Sequence, residues 1–206
     1  MRYLLAILLS AAILGSLFTS CENTPQSTSS NTTPSAVPLD TSYFLKKGGE
    51  IAALSFQALS TELKQALQRG GVAEAVQYCQ LKAYPIVDSL SHIHQARIRR
   101  TTLKVRNPKD TPDEVEANIL KRMQQQKAQG LMPQPVVQRI TPDTVLFAAP
   151  ILTQPLCLKC HGTVGKEIDP NDYALIQKHY PNDQATGYKA GDLRGMWSIR
   201  IYSPSN

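Results

Sequence analysis

The sequence predicts an α+β domain, with helices first and then a small antiparallel sheet interrupted by further helices. Three observations carry that expectation. Apolar residues recur at helical spacing between Tyr43 and Ser89. Short apolar or alternating runs occupy 136–140, 145–151 and 196–202. Glycine or proline punctuates the chain wherever that period changes.

In chain order, Met1-Arg2 is a short basic start and Tyr3 to Phe18 is an uncharged apolar run, ending in Thr19-Ser20 before Cys21. That pattern reads as a lipoprotein signal peptide over 1–20, with Cys21 as the lipidated first residue of the mature chain. Phe18 stands where leucine is more usual. The run is shorter than the roughly 20 residues that span a bilayer, so a retained membrane helix is the weaker reading. An ordinary signal peptide cut nearby would leave Cys21 incidental. Glu22 to Asp40 is rich in Ser, Thr, Asn, Pro and Gln, a composition that buries too little apolar surface to fold. Residues 21–41 are therefore expected to be a disordered tether, holding a single domain over 42–206 off a membrane. The expected location is outside the cytoplasm, periplasmic or on the cell surface.

Within the domain, Leu45, Ile51, Leu54, Phe56, Leu59, Leu63 and Leu67 predict a helix over 43–68, with Gly70-Gly71 as its stop. Val72, Val76, Cys79 and Ala83 follow spacings of four, three and four, so a second helix towards Ser89 carries Cys79 on its apolar stripe. Pro85 is expected to kink or divide it. Residues 98–106 read as a strand and 107–112 as a turn, from which Asp110 or Thr111 would start a helix running to about Gln129 and ended by Gly130. A hairpin follows, turning at Thr141-Pro142-Asp143. Next come a short helix from Pro170 to about His179, a glycine-punctuated loop over 187–195, and a last strand in which Trp197, Ile199 and Ile201 alternate with Ser198, Arg200 and Tyr202.

The most informative stretch is Cys157-Leu158-Lys159-Cys160-His161-Gly162. Two thiols three positions apart, with histidine next, is the spacing that attaches a c-type haem: the cysteines bond the vinyl groups and the histidine ligates iron. A half zinc site would need a second Cys or His pair, and a thioredoxin-type dithiol would need a helix start after a buried strand. The chain has four cysteines. Lipid would take Cys21 and haem would take Cys157 and Cys160, which leaves Cys79 as a surplus thiol. It either packs as a small buried hydrophobe or faces the iron opposite His161. His92, His94, His179, Met123, Met132 and Met196 are other possible sixth ligands, each with a blander reading as surface histidine or core methionine. Arg106 and Lys104 are candidates to contact haem propionates, or are only exposed strand residues. The formal charge is +6, from 22 Lys and Arg against 16 Asp and Glu, and no basic block or aromatic ladder suggests nucleic acid.

Four stretches together carry a resemblance. These are Val76-Gln77-Tyr78-Cys79 with Ala83 and Ile86, Lys104-Val105-Arg106-Asn107-Pro108 with Pro112-Asp113-Glu114, the Cys157–Gly162 motif, and Tyr180-Pro181 with Ala185-Thr186-Gly187-Tyr188 and Gly191-Asp192-Leu193-Arg194-Gly195. From about residue 45 to 202 the chain resembles the bacterial single-haem c-type family with a PAS-like fold. Val115 departs from it, standing where the family tends to have an aromatic residue. The resemblance implies a PAS-like antiparallel sheet flanked by N-terminal helices, and one covalent haem c whose axial ligands would be His161 and Cys79. A thiolate ligand would lower the reduction potential. The expected function is then a tethered redox or diatomic-gas sensor, taking CO, NO or O2 and needing a protein partner for output. A monohaem electron carrier is the alternative. Enzymatic activity is not expected, because the sequence identifies no distal acid or base groups.

Overall fold

The computed structural model describes residues 38–202; the expected signal peptide, Cys21 and most of the tether lie outside them. The first helix, α1 (Thr41–Leu81), starts where the Asp40 carboxylate accepts from the Tyr43 N–H at 3.0 Å. Gly70 and Gly71 leave helical geometry inside it, Gly71 at φ +63°, so the expected stop is a sharp break between two helical arms. The chain leaves the helix again at Lys82, three residues before Pro85, and α2 (Ala83–His94) follows.

Strand β1 (Ala96–Thr101) is shorter than the expected 98–106. The Thr101 hydroxyl donates to the Asp110 carbonyl at 2.8 Å and the Thr102 N–H to the same oxygen at 3.2 Å. The 107–111 turn therefore takes over the backbone there, and Lys104 and Arg106 stand on a loop. Helix α3 (Glu114–Ala128) is capped by Asp113 rather than by Asp110 or Thr111. Asp110 is already engaged with Tyr84 and Thr101, and the Thr111 hydroxyl donates to the Pro108 carbonyl. The hairpin β2 (Val136–Thr141) and β3 (Thr144–Leu152), helix α4 (Leu158–His161), helix α5 (Pro170–His179) and strand β4 (Leu193–Tyr202) complete the order.

The sheet is antiparallel throughout, in the order β1-β4-β3-β2. Strand alternation sends Val145, Phe147, Trp197 and Ile199 to a face covered by α1 and α2, and Leu146, Ala148 and Met196 to a face covered by α3. The α+β expectation holds. A third cluster joins the second arm of α1 to α5, through Val72, Val76, Ile176 and Tyr180. No described helix is long and apolar enough to cross a membrane.

Gly48 marks the closest approach of α1 to the sheet. A Cβ there would fall 2.1 Å from Cγ of Phe147, a side chain that is 2% exposed. Gly48→Ala is therefore expected to lower unfolding free energy by about 1–3 kcal/mol, the usual cost of overpacking a close-packed core. Urea denaturation checks this; an unchanged midpoint would mean that the helix-to-sheet spacing is looser than described.

Candidate functional site

The Cys-x-x-Cys-His motif folds as a tight 3-10 turn at Pro155–Cys157 running into the single turn of α4. One helical turn places Cys157 and Cys160 on the same side, and both line a cavity of about 240 Å3 together with His161. The second arm of α1 brings Cys79 to the same cavity. Cys79, expected on an apolar stripe either as a small buried hydrophobe or facing the iron, thus lines the same cavity as His161. Leu59, Leu63, Ala75, Val76 and Trp197 supply apolar wall. The three described thiols are all free although they share one cavity.

His161 is oriented by its own backbone neighbourhood. Its Nδ1 lies 2.8 Å from the Ala185 carbonyl, which makes Nδ1 the protonated nitrogen and leaves Nε2 as the one with a lone pair. The Tyr188 N–H donates to the His161 carbonyl at 2.9 Å, and the Gly187 N–H to the Gly162 carbonyl at 2.7 Å, so the 185–188 segment holds both the ring and its backbone. Burial, and then the nearby Arg194 and Arg106 guanidinium groups, push the His161 pKa well below its ordinary value. The imidazole is neutral at physiological pH, the form in which histidine ligates metals. Burial pushes the Cys160 thiol up to about 11 and the Cys79 thiol up as well, with Arg106 opposing both shifts.

The cavity wall is basic. Arg100, Arg106 and Arg194 all line it. Arg106 forms a two-pronged pair with Asp183, at 3.0 and 2.9 Å, and donates to the Cys160 carbonyl at 2.6 Å. Lys104 is not among the lining residues; its ammonium donates to the Thr186 carbonyl and sits 4.7 Å from the centre of the Tyr188 ring. Sequence reasoning assigned no role to Arg100 or Arg194. Neither has a carboxylate partner among the described residues, and the Nε of Arg194 is buried with no hydrogen-bond partner at all. Arg194 Nη1 donates to the Thr102 hydroxyl at 2.9 Å, but a buried Nε left unsatisfied costs about 1–3 kcal/mol, so Arg194 suits an occupant that accepts there, and Arg100 adds positive charge to the same wall. For Arg100 a signal existed in the sequence, since strand alternation puts it on the face of Ile98. For Arg194 the sequence offered its place in the Gly191–Gly195 stretch that carries part of the resemblance, expected as loop but lying in β4 from Leu193 onward.

The other proposed iron ligands are elsewhere. Met123 and Met196 are buried on the α3 side of the sheet, Met132 is exposed, and none of these or of His92, His94 and His179 lines the cavity. Among the described residues no group of three or more His, Cys, Asp or Glu is gathered as a bare metal ion would require. The residues present do fit the haem implied by the motif. Two thiols lie one turn apart, an imidazole keeps Nε2 available, a third thiol shares the cavity, the walls are apolar, and two guanidinium groups without a carboxylate partner among the described residues suit two carboxylates.

A family model described as Tll0287-like matches residues 17–201. Among solved structures, the crystal structure of the cyanobacterial heme-protein Tll0287 is similar, with 23% sequence identity and a TM-score of 0.54, over 78% of this chain and 98% of that one. At that identity the likeness shows a shared fold. No curated protein matches the chain.

Proposed function

The chain belongs to the Tll0287-like family, and from that membership and the cavity we propose that it is an exported, membrane-tethered single-haem protein acting as a redox or diatomic-gas sensor. Cys157 and Cys160 would hold the haem covalently. His161 would ligate the iron through Nε2, Cys79 would ligate it from the second arm of α1, and Arg100 and Arg194 would take the propionates. The bound group would supply a change of iron oxidation state and a place for CO, NO or O2.

The observation that carries the proposal is the gathering of Cys79, Cys157, Cys160 and His161 around one apolar, arginine-walled cavity from two separate parts of the chain. Its residues have distinct tasks. The Ala185 carbonyl fixes the ring and its tautomer, as an outer-shell partner does for a ligating histidine. The apolar walls would favour the oxidation state of lower net charge, and with a thiolate ligand, which itself lowers the potential, that state would be the ferric one. Cys21 would carry the lipid anchor, and a separate protein would receive the signal.

Purification of the protein under denaturing conditions, from a host able to mature c-type haem, tests the first part. Retained colour and a mass increased by one haem are expected; a colourless chain of bare polypeptide mass would end the proposal. Titration of the ferrous protein with CO and NO tests the second part. Binding at modest gas concentration supports sensing, whereas resistance to both gases with fast electron exchange supports an electron carrier.

A further inference from the structure

A buried ion pair lies behind the site. Asp183 has a fully buried side chain, is absent from the cavity lining, and pairs with Arg106, whose side chain is 11% exposed. The pair reaches the imidazole through the backbone. Asp183 Oδ1 accepts the Ala185 N–H at 2.8 Å, while Arg106 Nη2 donates to the Cys160 carbonyl at 2.6 Å and approaches the Ala185 carbonyl at 3.4 Å. That same Ala185 carbonyl receives Nδ1–H of His161. One carboxylate and one guanidinium thus clamp the residue before the ligating histidine and the carbonyl that orients its ring.

We infer that Asp183 is a positioning residue for the axial imidazole, acting through Arg106 and the Ala185 backbone; this rests on the haem reading above. Three physical arguments support it. Buried ion pairs are weak contributors to stability, because desolvation offsets attraction, so a pair of this kind is better explained by geometry than by fold stability. Outer-shell groups that fix a ligating histidine also tune the metal they never touch. The third is charge: the Asp183 carboxylate offsets the Arg106 cation beside the site, and removing it leaves a net positive charge that favours reduced iron.

The test uses the haem-loaded protein. Asp183→Asn should keep full covalent haem content, raise the midpoint potential, and alter both the ferric magnetic resonance signature and the 15N resonances of the His161 ring. Exchange of the Ala185 amide should also quicken. The double variant Arg106→Gln/Asp183→Asn restores the charge balance but not the clamp, so its potential should return towards wild type while the imidazole signature stays altered. A fall in melting temperature with potential and ring resonances unchanged would reduce the pair to a loop staple and overturn the inference. If Asp183→Asn fails to accumulate, Asp183→Glu keeps the charge and shifts the carboxylate by one methylene; altered ring resonances there support the inference and unaltered ones overturn it. If the wild type carries no haem, the haem proposal fails, and the ring resonances of the unloaded chain still decide whether Asp183 orients His161.

Discussion

Made in a host that matures c-type haem, a Cys157→Ala/Cys160→Ala variant is expected to lose all covalently held haem, while Cys79→Ser keeps the full complement with a changed ferric spectrum. The two outcomes separate attachment from ligation. Cys157 and Cys160 are the pair with motif spacing beside His161, and under the proposal their sulfurs would attach the haem next to the ring that ligates iron. Cys79 comes from another helix and has no attachment role to lose. If Cys79 ligates the iron as proposed, replacing sulfur by the poorer hydroxyl donor would remove negative charge from it, so the potential of Cys79→Ser should rise. Mass spectrometry reads attachment, and absorption with redox titration reads ligation. Full covalent haem in the double variant would refute the attachment residues, and an unaltered Cys79→Ser spectrum would remove Cys79 from the iron.

The largest expected effect on stability lies on the opposite face of the sheet, at Glu116. Its side chain is fully buried, and Oε2 accepts the Asp113 N–H at 2.9 Å, closing a capping box with the Glu116 N–H that donates to Asp113 at the same distance. Oε1 accepts from the Ser198 hydroxyl at 2.6 Å, and Arg99 stands 3.5 Å away. The carboxylate therefore joins α3 to β1 and β4 at once, and Arg200 ties Asp113 to the same knot. Glu116→Ala leaves the Ser198 hydroxyl and the Asp113 N–H without their acceptor and takes away the charge partner of Arg99, which keeps its bonds to the Lys109 and Thr111 carbonyls, a loss of about 3–5 kcal/mol. Glu116→Gln keeps the shape and most of the hydrogen bonds and should cost less. Denaturant unfolding checks both. A loss under about 1 kcal/mol for Glu116→Ala would mean that water or a rearranged Arg99 replaces the carboxylate.

Where local chemistry decides the structure, the sequence was sufficient. Gly70-Gly71 breaks α1, Gly130 follows the end of α3, and Thr141-Pro142-Asp143 turns the hairpin, because each depends on residues adjacent in the chain. Cys79 was legible for a similar reason: helical spacing fixed its face, and the thiol count made it surplus. What escaped depends on contacts between distant segments. The end of β1 is set by Asp110, nine residues beyond Thr101, and the N-cap of α3 moves to Asp113 because Asp110 and Thr111 are already engaged. The sequence leaves Arg106 as a candidate propionate contact or an exposed strand residue; the structure pairs it with Asp183, 77 positions away, and no periodicity reports such a meeting. That no described carboxylate pairs with Arg100 or Arg194 is likewise a tertiary fact.

The break in α1 acts as a ruler. An unbroken rod of 41 residues would extend about 60 Å at 1.5 Å per residue, carrying its far end well past a body of this size. Bent back at the glycine pair, the second arm returns far enough for the Tyr78 hydroxyl to reach the Leu59 carbonyl at 3.2 Å. From there rotational phase sets where each side chain points. Val72 and Val76 meet α5, and Cys79, counted from the same bend, meets the cavity. One residue added or removed between Gly71 and Cys79 turns everything downstream by roughly 100°, so the number of steps in that short arm is as much a part of the binding chamber as the sulfur it delivers.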